Sequence, residues 1–336
     1  MKLQYALLIS ISMAIGVVLS WYALSYFSAA RKVEIPFKKC MNIRNALESP
    51  KGVTWNGRIE NHYFDVIKAA GFDSVRIPVR FSDYAINNPN YQLEEEFVAK
   101  IDHYINYALE AGLTVILDLH HFTELMEEPY EYRECFIAIW EQLSLRYRDY
   151  PPELIFELLN EPQKNLKGGL WNEILTEAVF TIRRYNPTRY IIIGPDRYNS
   201  LNRLEKLNLP DDNNIIVSIH YYNPADFTFQ GDPYHKGYEN LSDIPWGSPE
   251  DIRKLEADFL KASDWAKANN RMIFVGEFGV NQNAPAQYRE LWIKTVRKEA
   301  EKMGFAWGYW EFCANFGIYD SETDQWDEKL LEALID

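Results

Sequence analysis

Two glutamates close two apolar runs of this chain in the same way. The run Leu154-Ile155-Phe156-Glu157-Leu158-Leu159 ends abruptly in Asn160-Glu161-Pro162, and Met272-Ile273-Phe274-Val275-Gly276 ends in Glu277-Phe278-Gly279. Each run reads as a buried parallel strand, and Pro162 lacks the backbone donor that further pairing would need. A carboxylate at the carboxyl end of such a strand is where a (β/α)8 barrel places an acid catalyst. Two of them suggest paired acid and nucleophile chemistry at the anomeric carbon of a sugar.

Those carboxylates need a scaffold that brings strand ends together, and the remaining pattern supplies one. Apolar strand segments fall at 40–43, 74–78, 114–119, 154–159, 190–194, 215–220, 272–277 and 305–310. Segments with a 3.6-residue apolar period fall at 61–70, 97–111, 134–147, 171–185, 249–268, 286–303 and 327–335, with only a weak helix at 201–207 between the fifth and sixth strands. Gly71, Gly112 and Gly304 stop three of the helices just before a strand, as helix C-termini favour. Eight strands alternating with helices predict an α/β fold, a single closed parallel (TIM) barrel. The longest irregular insert, 223–246, follows the sixth strand, on the end of a barrel whose loops carry function.

The polar residues at the strand ends should therefore converge. They are Arg76 on the second strand, His120 and His121 after the third, Asn160 and Glu161 after the fourth, His220 and Tyr222 after the sixth, Glu277 on the seventh, and Trp310 with Glu311 on the eighth. Taken singly, a histidine on an apolar strand is more often structural and an arginine more often an ion-pair partner. Six strand ends carrying side chains suited to carbohydrate argue for one shared site.

Composition limits the alternatives. A length of 336 residues suits one barrel domain, and 47% hydrophobic residues support its core. Ten Trp and 22 Tyr exceed what core filling needs, and flat aromatic faces suit pyranose rings. The net charge of 35 − 49 = −14 argues against nucleic acid and anionic membrane surfaces as partners, whereas a neutral polysaccharide is indifferent to it. Cys40, Cys135 and Cys313 fit no metal spacing, and three free thiols are expected. His120 and His121 are adjacent, so on a strand they point to opposite faces, and no His-x-His occurs; no metal or organic cofactor is implied, since acid, base and nucleophile are all side chains. Residues 5–24 are almost uncharged and long enough to span a bilayer, while Ser28-Ala29-Ala30 resembles a cleavage site. The segment 1–30 is expected to be an export signal or an uncleaved membrane anchor. Residues 31–336 would then be a secreted or surface-attached catalytic domain, acting as a monomer.

Together, Arg76, His120, Asn160-Glu161, His220 with Tyr222, Glu277 and Trp310 resemble the signature of glycoside hydrolase family 5, the large cellulase family, over residues 38–336. The phrases Asn42-Ile43-Arg44-Asn45-Ala46-Leu47-Glu48, Ile219-His220-Tyr221-Tyr222-Asn223-Pro224 and Tyr309-Trp310-Glu311-Phe312 are most similar to the bacterial branch with the Thermotoga-type endoglucanases, whose members often act on both β-1,4-glucans and β-mannans. The resemblance implies Glu161 as general acid/base and Glu277 as nucleophile. It implies Asn160 on the sugar 2-hydroxyl, Arg76 behind the nucleophile, Tyr222 on its carboxylate and His220 on the acid side. It further implies His120 on a sugar hydroxyl and Trp310 beneath the sugar at the −1 position, with Asn45, Glu48, His121 and Glu311 as secondary candidates for glycone hydroxyls. Tyr221 and Glu157 are expected to be structural, Glu157 in a buried ion pair.

The chain departs from that pattern where Met41 and Arg44 replace two glycines usual on the first strand, and Arg44 is expected to point outward between the helices rather than into the cleft. Phe229 and Tyr234 stand in the insert where relatives can carry His and Trp, which bears on the acceptor side. The activity expected is a retaining endo-β-1,4-glucanase with an open cleft. The alternatives are a β-mannanase or mixed-linkage glucanase on the same site, or a non-catalytic carbohydrate-binding surface protein.

Overall fold

Every strand of the barrel has one set of side chains in the lumen and one against the helices, because successive residues of a strand face opposite ways. The structure is a computed structural model that describes residues 34–336 apart from Asn45 and Asn56; the segment 5–24 and the expected boundary at 30 lie outside the described residues. The strands are β1 (Lys39–Asn42), β2 (Ser74–Val79), β3 (Thr114–Leu119), β4 (Leu154–Glu157), β5 (Ile191–Ile193), β6 (Ile215–His220), β7 (Met272–Phe278) and β8 (Ala306–Tyr309). All neighbours pair in parallel, and β1 pairs with β8 as well as β2, which closes the barrel in sequence order.

The principal helices are α1 (His62–Ala69), α2 (Glu95–Glu110), α3 (Pro129–Arg146), α4 (Gly168–Arg183), α5 (Pro249–Asn269), α6 (Ala286–Met303) and α7 (Glu328–Ile335). Between β5 and β6, where the sequence pattern is weak, lie a single irregular turn, Asp196–Asn199, and a 3-10 turn, Leu201–Lys206. Helix ends are chemically marked. Ser248 and Asp251 form a reciprocal capping box at the start of α5, and Gly304 takes φ 77° to end α6, a left-handed conformation in which a Cβ is strained. Helix α3 begins at Pro129, five residues before the apolar period shows itself, since proline suits the first turn of a helix. A two-stranded antiparallel ribbon, β9 (Tyr319–Asp320) with β10 (Gln325–Trp326), follows the barrel and has no counterpart in the sequence reading.

Two apolar cores result. The larger lies between the strands and the helices, and includes Val75, Ile77, Val115, Leu117, Phe156, Trp140, Trp171 and Trp292. The smaller fills the amino-terminal half of the lumen with Cys40, Ile116, Ile155, Ile192, Ile216, Phe274 and Ala306, together with Ile35 and Phe37. Two residues further along the strands the lumen turns polar, at Asn42, Arg76, Asp118 and Glu157, all fully buried. That change of layer places the site at the carboxyl end of the barrel. Cys40, Cys135 and Cys313 are free thiols, Cys313 only half-buried.

Candidate active site

Arg76 is the hub of the polar layer, and its five guanidinium donors are fully used. Nε donates to Glu157 Oε2 at 2.6 Å, and Nη2 to Glu157 Oε1 at 3.2 Å and Asn160 Oδ1 at 2.9 Å. Nη1 donates to Glu277 Oε1 at 2.8 Å and Asn42 Oδ1 at 3.0 Å, and Asp118 Oδ2 lies 2.9 Å from Nη2. Asn42 in turn donates to Gly276 O and Tyr309 O, tying β1 to β7 and β8. One cation thus serves three buried carboxyls, and a buried charge without a partner is costly. Burial accordingly pushes Asp118 up to about 7, with Arg76 pulling against it, and burial raises Glu157 as well. Burial opposes the charge on Arg76 too, but Asp118, Glu157 and Glu277 outweigh it and hold the guanidinium well above its ordinary range.

Above this layer sit the two glutamates that close β4 and β7. His220 Nδ1 lies 2.8 Å from Glu161 Oε1 and 3.5 Å from Glu277 Oε2, and Tyr222 OH donates to Glu277 Oε2 at 3.0 Å. An oxygen of Glu161, an oxygen of Glu277 and a ring nitrogen of His220 all lie within 4.8 Å of one another. Separations near ~5 Å fit direct attack by one carboxylate on carbon, whereas ~6.5–9.5 Å is needed to admit a water between them. Strand β4 ends at Glu157, earlier than the apolar run, and Glu161 adopts φ 49° in a left-handed turn ahead of Pro162. The backbone at Leu158 and Asn160 still bonds to Ile192 O and Leu119 O, which holds that turn against both neighbouring strands.

The two carboxyls differ in their surroundings. Burial pushes Glu161 up to about 7, and its one direct side-chain partner among the described residues is the imidazole of His220. Burial raises Glu277 as well, but His220, Arg76 and the Tyr222 hydroxyl all favour its charged form. Glu277 is therefore the carboxyl this site can hold ionised while Glu161 keeps its proton. Burial depresses His220 to about 4 and His120 well below its ordinary range, so both rings are neutral at neutral pH. His120 Nδ1 sits 2.5 Å from Asp118 Oδ2 and its ring stacks 5.7 Å from Trp310. With the proton on Nδ1, His120 presents a lone pair at Nε2.

His120, Asn160, Glu161, His220, Tyr222, Glu277 and Trp310 are thus gathered at one mouth, with Arg76 directly beneath them. Others are not. Glu311 is fully buried and spends its carboxylate on the backbone N–H groups of Cys313, Ala314 and Phe316, so it anchors a loop instead of reaching a sugar. Glu48 is also buried and accepts from the backbone of Ala46 at 3.1 Å. His121 sits at the rim, its ring 6.0 Å from Trp55, and Asn45 lies outside the described residues.

Arg44 corrects an expectation. It does not point outward: its guanidinium lies 5.2 Å over the Trp310 ring and lines a cleft of about 930 Å³ with Trp55, Arg58, Tyr63 and Tyr234. The indole face attracts a cation, and buried Glu311 lies within electrostatic reach of it. Within the insert, Phe229 packs 5.0 Å from Tyr222 while Tyr234 stands exposed on the cleft.

Sequence reasoning passed over three residues. Asn42 and Asp118 are polar positions inside apolar strands, each two residues from another lumen residue, and that parity could have found them. Asn199, whose amide lies 3.1 Å from His220 Nε2, sits in an irregular turn with no pattern to betray it. The donor atoms of Glu161, His220 and Glu277 are close enough to chelate a cation. Arg76 and Tyr222 already occupy the Glu277 carboxylate, and the set reads as a proton-transfer group.

Comparison with known proteins agrees with this geometry. Residues 38–316 match the family model described as cellulase (glycosyl hydrolase family 5). Endoglucanase H of Acetivibrio thermocellus is 31% identical over 300 residues, covering 88% of this chain and 32% of that protein. The chain spans about a third of the length of the first curated relatives it matches, at 32% and 35%. Among solved structures, the Clostridial cellulose synthase subunit Z (CcsZ) from Clostridioides difficile superposes with TM-score 0.88 at 50% identity, covering 89% of this chain and 100% of that one. Cel5A of Thermotoga maritima, solved in complex with cellobiose, gives TM-score 0.87 at 44% identity over 89% of this chain and 97% of that one, and it has also been solved with mannotriose. On the match to most of its length and on these relatives, the chain belongs to glycosyl hydrolase family 5.

Proposed function

We propose that this chain is a retaining endo-β-1,4-glucanase. The observation that carries the reading is the approach of the Glu161 and Glu277 carboxyls to within 4.8 Å around His220, above a buried arginine. Glu277, the ionised carboxyl, attacks the anomeric carbon while Glu161 gives its proton to the departing glycosidic oxygen. Glu161, now a carboxylate, takes a proton from water, and that water displaces Glu277 with retained configuration. Arg76 holds the Asn160 amide by its oxygen, which leaves the –NH2 end to donate to the sugar 2-hydroxyl. Trp310 and His120 form the platform and a hydroxyl contact beneath that sugar. No metal or organic cofactor is required by this scheme.

A relative that is a cellulose synthase subunit and another solved with cellobiose both favour β-1,4-glucan as the polymer. A mannan or glucomannan activity is the second reading, favoured by the mannotriose complex of Cel5A. We further propose that residues 5–24 direct export, so that the enzyme acts outside the cytoplasm as a monomer, either released by cleavage near residue 30 or tethered; no helix among the described residues is long and apolar enough to cross a membrane. Intact-mass measurement of the exported protein distinguishes the two forms, and a product confined to the cytoplasm refutes export.

Release of reducing ends from carboxymethyl-cellulose, barley β-glucan, glucomannan and mannan tests the substrate, with the two glucans expected to be fastest. The first-formed product anomer, followed by NMR, should be β; an α product excludes retention. Glu277→Ala should lower kcat by at least ~10³-fold with the fold intact, and substantial residual turnover would remove the nucleophile from that residue.

A further inference from the structure

We propose that Asn199 is a positioning residue, whose buried amide donates to His220 Nε2 and keeps the ring proton on Nδ1, facing Glu161 and Glu277. The assignment deepens the catalytic reading above and rests on it for its purpose, though not for its geometry.

The turn after β5 is built at evident cost. Arg197, Tyr198 and Asn199 take φ values of 56°, 64° and 49°, three successive left-handed residues without a glycine among them. Such residues persist only where the surroundings hold them, and they gather at functional sites. Here the holding contacts lead to the active centre. The Tyr198 N–H donates to Pro162 O, in the turn that carries Glu161, and Ser200 forms a parallel bridge to His220. The strained turn faces Tyr198 outward and Asn199 inward, fully buried.

The amide then reaches His220 across a gap that only glycine permits. A Cβ at Gly194 would lie 2.0 Å from Asn199 Oδ1 and 2.2 Å from its Cγ, so any larger residue would expel the side chain. Asn199 Nδ2 stands 3.1 Å from His220 Nε2, while Asn199 Oδ1 has no hydrogen-bond partner among the described residues. Leaving a buried oxygen unpaired is unfavourable, so the amide is oriented for what its –NH2 end meets.

The carboxyls decide which end that is. His220 Nδ1 is 3.5 Å from Oε2 of Glu277, the ionised carboxyl, which tolerates only a donor there, and 2.8 Å from Oε1 of Glu161, which accepts on its unprotonated oxygen while its own proton stays free for the leaving group. Nδ1 therefore carries the proton. In a neutral imidazole Nε2 is then an acceptor, and it needs a donor from Asn199. The other charged or titratable groups acting on this ring are Arg76 and Glu157, paired with each other in the layer below, and His120, held from that layer by Asp118. Asn199 is what selects one tautomer of a ring that touches both catalytic carboxyls. With that tautomer set, the Nδ1–H can follow negative charge from Glu277 to Glu161 as the nucleophile is consumed and the acid ionises.

Long-range proton–nitrogen NMR of the full chain labelled with ¹⁵N-histidine reads the tautomer directly, with the His220 signals assigned by their loss in His220→Gln. In the unaltered protein, Nδ1 should be protonated and Nε2 unprotonated between about pH 5.5 and 8. Asn199→Asp keeps the shape and removes the donor; the carboxylate should draw a second proton onto the ring. An imidazolium beside Glu161 favours its ionised form, so the alkaline limb of kcat/KM should move down by about one pH unit with KM within about twofold. A proton on Nε2 of the unaltered protein, or an Asn199→Asp enzyme whose ring state and pH profile are unchanged, overturns the proposal. The tautomer is read without turnover, so an inactive protein with the expected ring state would refute the hydrolase reading and leave the positioning of His220 standing.

Discussion

Glu161 and Glu277 are the same residue type, one in the turn after β4 and one near the end of β7, and their partners set them apart. Glu277 accepts from Arg76 and Tyr222, two donors that favour its charge, whereas Glu161 has a neutral imidazole. A general acid must hold its proton, so activity should fall as pH rises through about 7, the value to which burial lifts Glu161. The same shift has a cost in stability. The folded protein binds this proton more tightly than the unfolded chain, so stability present below the ordinary value of 4.5 is lost progressively as pH rises through about 7. Glu161→Gln removes that penalty and should raise the unfolding free energy at pH 8 by about 2–3 kcal/mol, with no difference near pH 4. Urea denaturation at the two pH values measures it, and equal stability at pH 8 would show that Glu161 titrates normally.

At the scale of elements, the loops that follow the strands decide whether a polar residue meets substrate. Glu311 follows β8 even more closely than Glu161 follows β4, yet the 313–316 loop folds back over it and takes both its oxygens. Glu311→Ala leaves those N–H groups unpaired beside Trp310 and should cost about 2–4 kcal/mol in denaturant unfolding, with KM rising as the platform loosens. Arg44, at the end of β1, lies over that same ring. That cation–π contact is worth ~0.5–1 kcal/mol, and it covers the indole face on which a sugar would stack. Arg44→Gly should therefore lower KM for cello-oligosaccharides about two- to fivefold and leave kcat unchanged. A rise in KM would instead make Arg44 a substrate ligand.

Across the whole molecule, one alternation of lumen side chains produces the division of labour. An apolar plug fills the amino-terminal half, a charged layer centred on Arg76 sits above it, and the reacting groups stand at the mouth. The net charge of −14 surrounds this site without serving a neutral polymer. Raising ionic strength should change kcat/KM on barley β-glucan by less than about twofold, while the rate on anionic carboxymethyl-cellulose should rise as repulsion is screened. A strong salt dependence on the neutral glucan would point to charge taking part in its recognition.

The apolar runs, their spacing and the glycine stops were sufficient to specify a parallel barrel, because burial of strands between helices is a property of pattern. The placing of Arg76 on its strand, and of His120, Glu161, His220 and Glu277 at strand ends, was legible for the same reason. The inward turn of Arg44, the loop-anchoring of Glu311 and the contact of Asn199 with His220 were not. Each depends on which backbone folds over a side chain from a distant part of the sequence, and the last also on a left-handed turn that carries no glycine to announce it. Residue types and their order decided what chemistry was present; only the packed loops decided which side chains were free to take part in it.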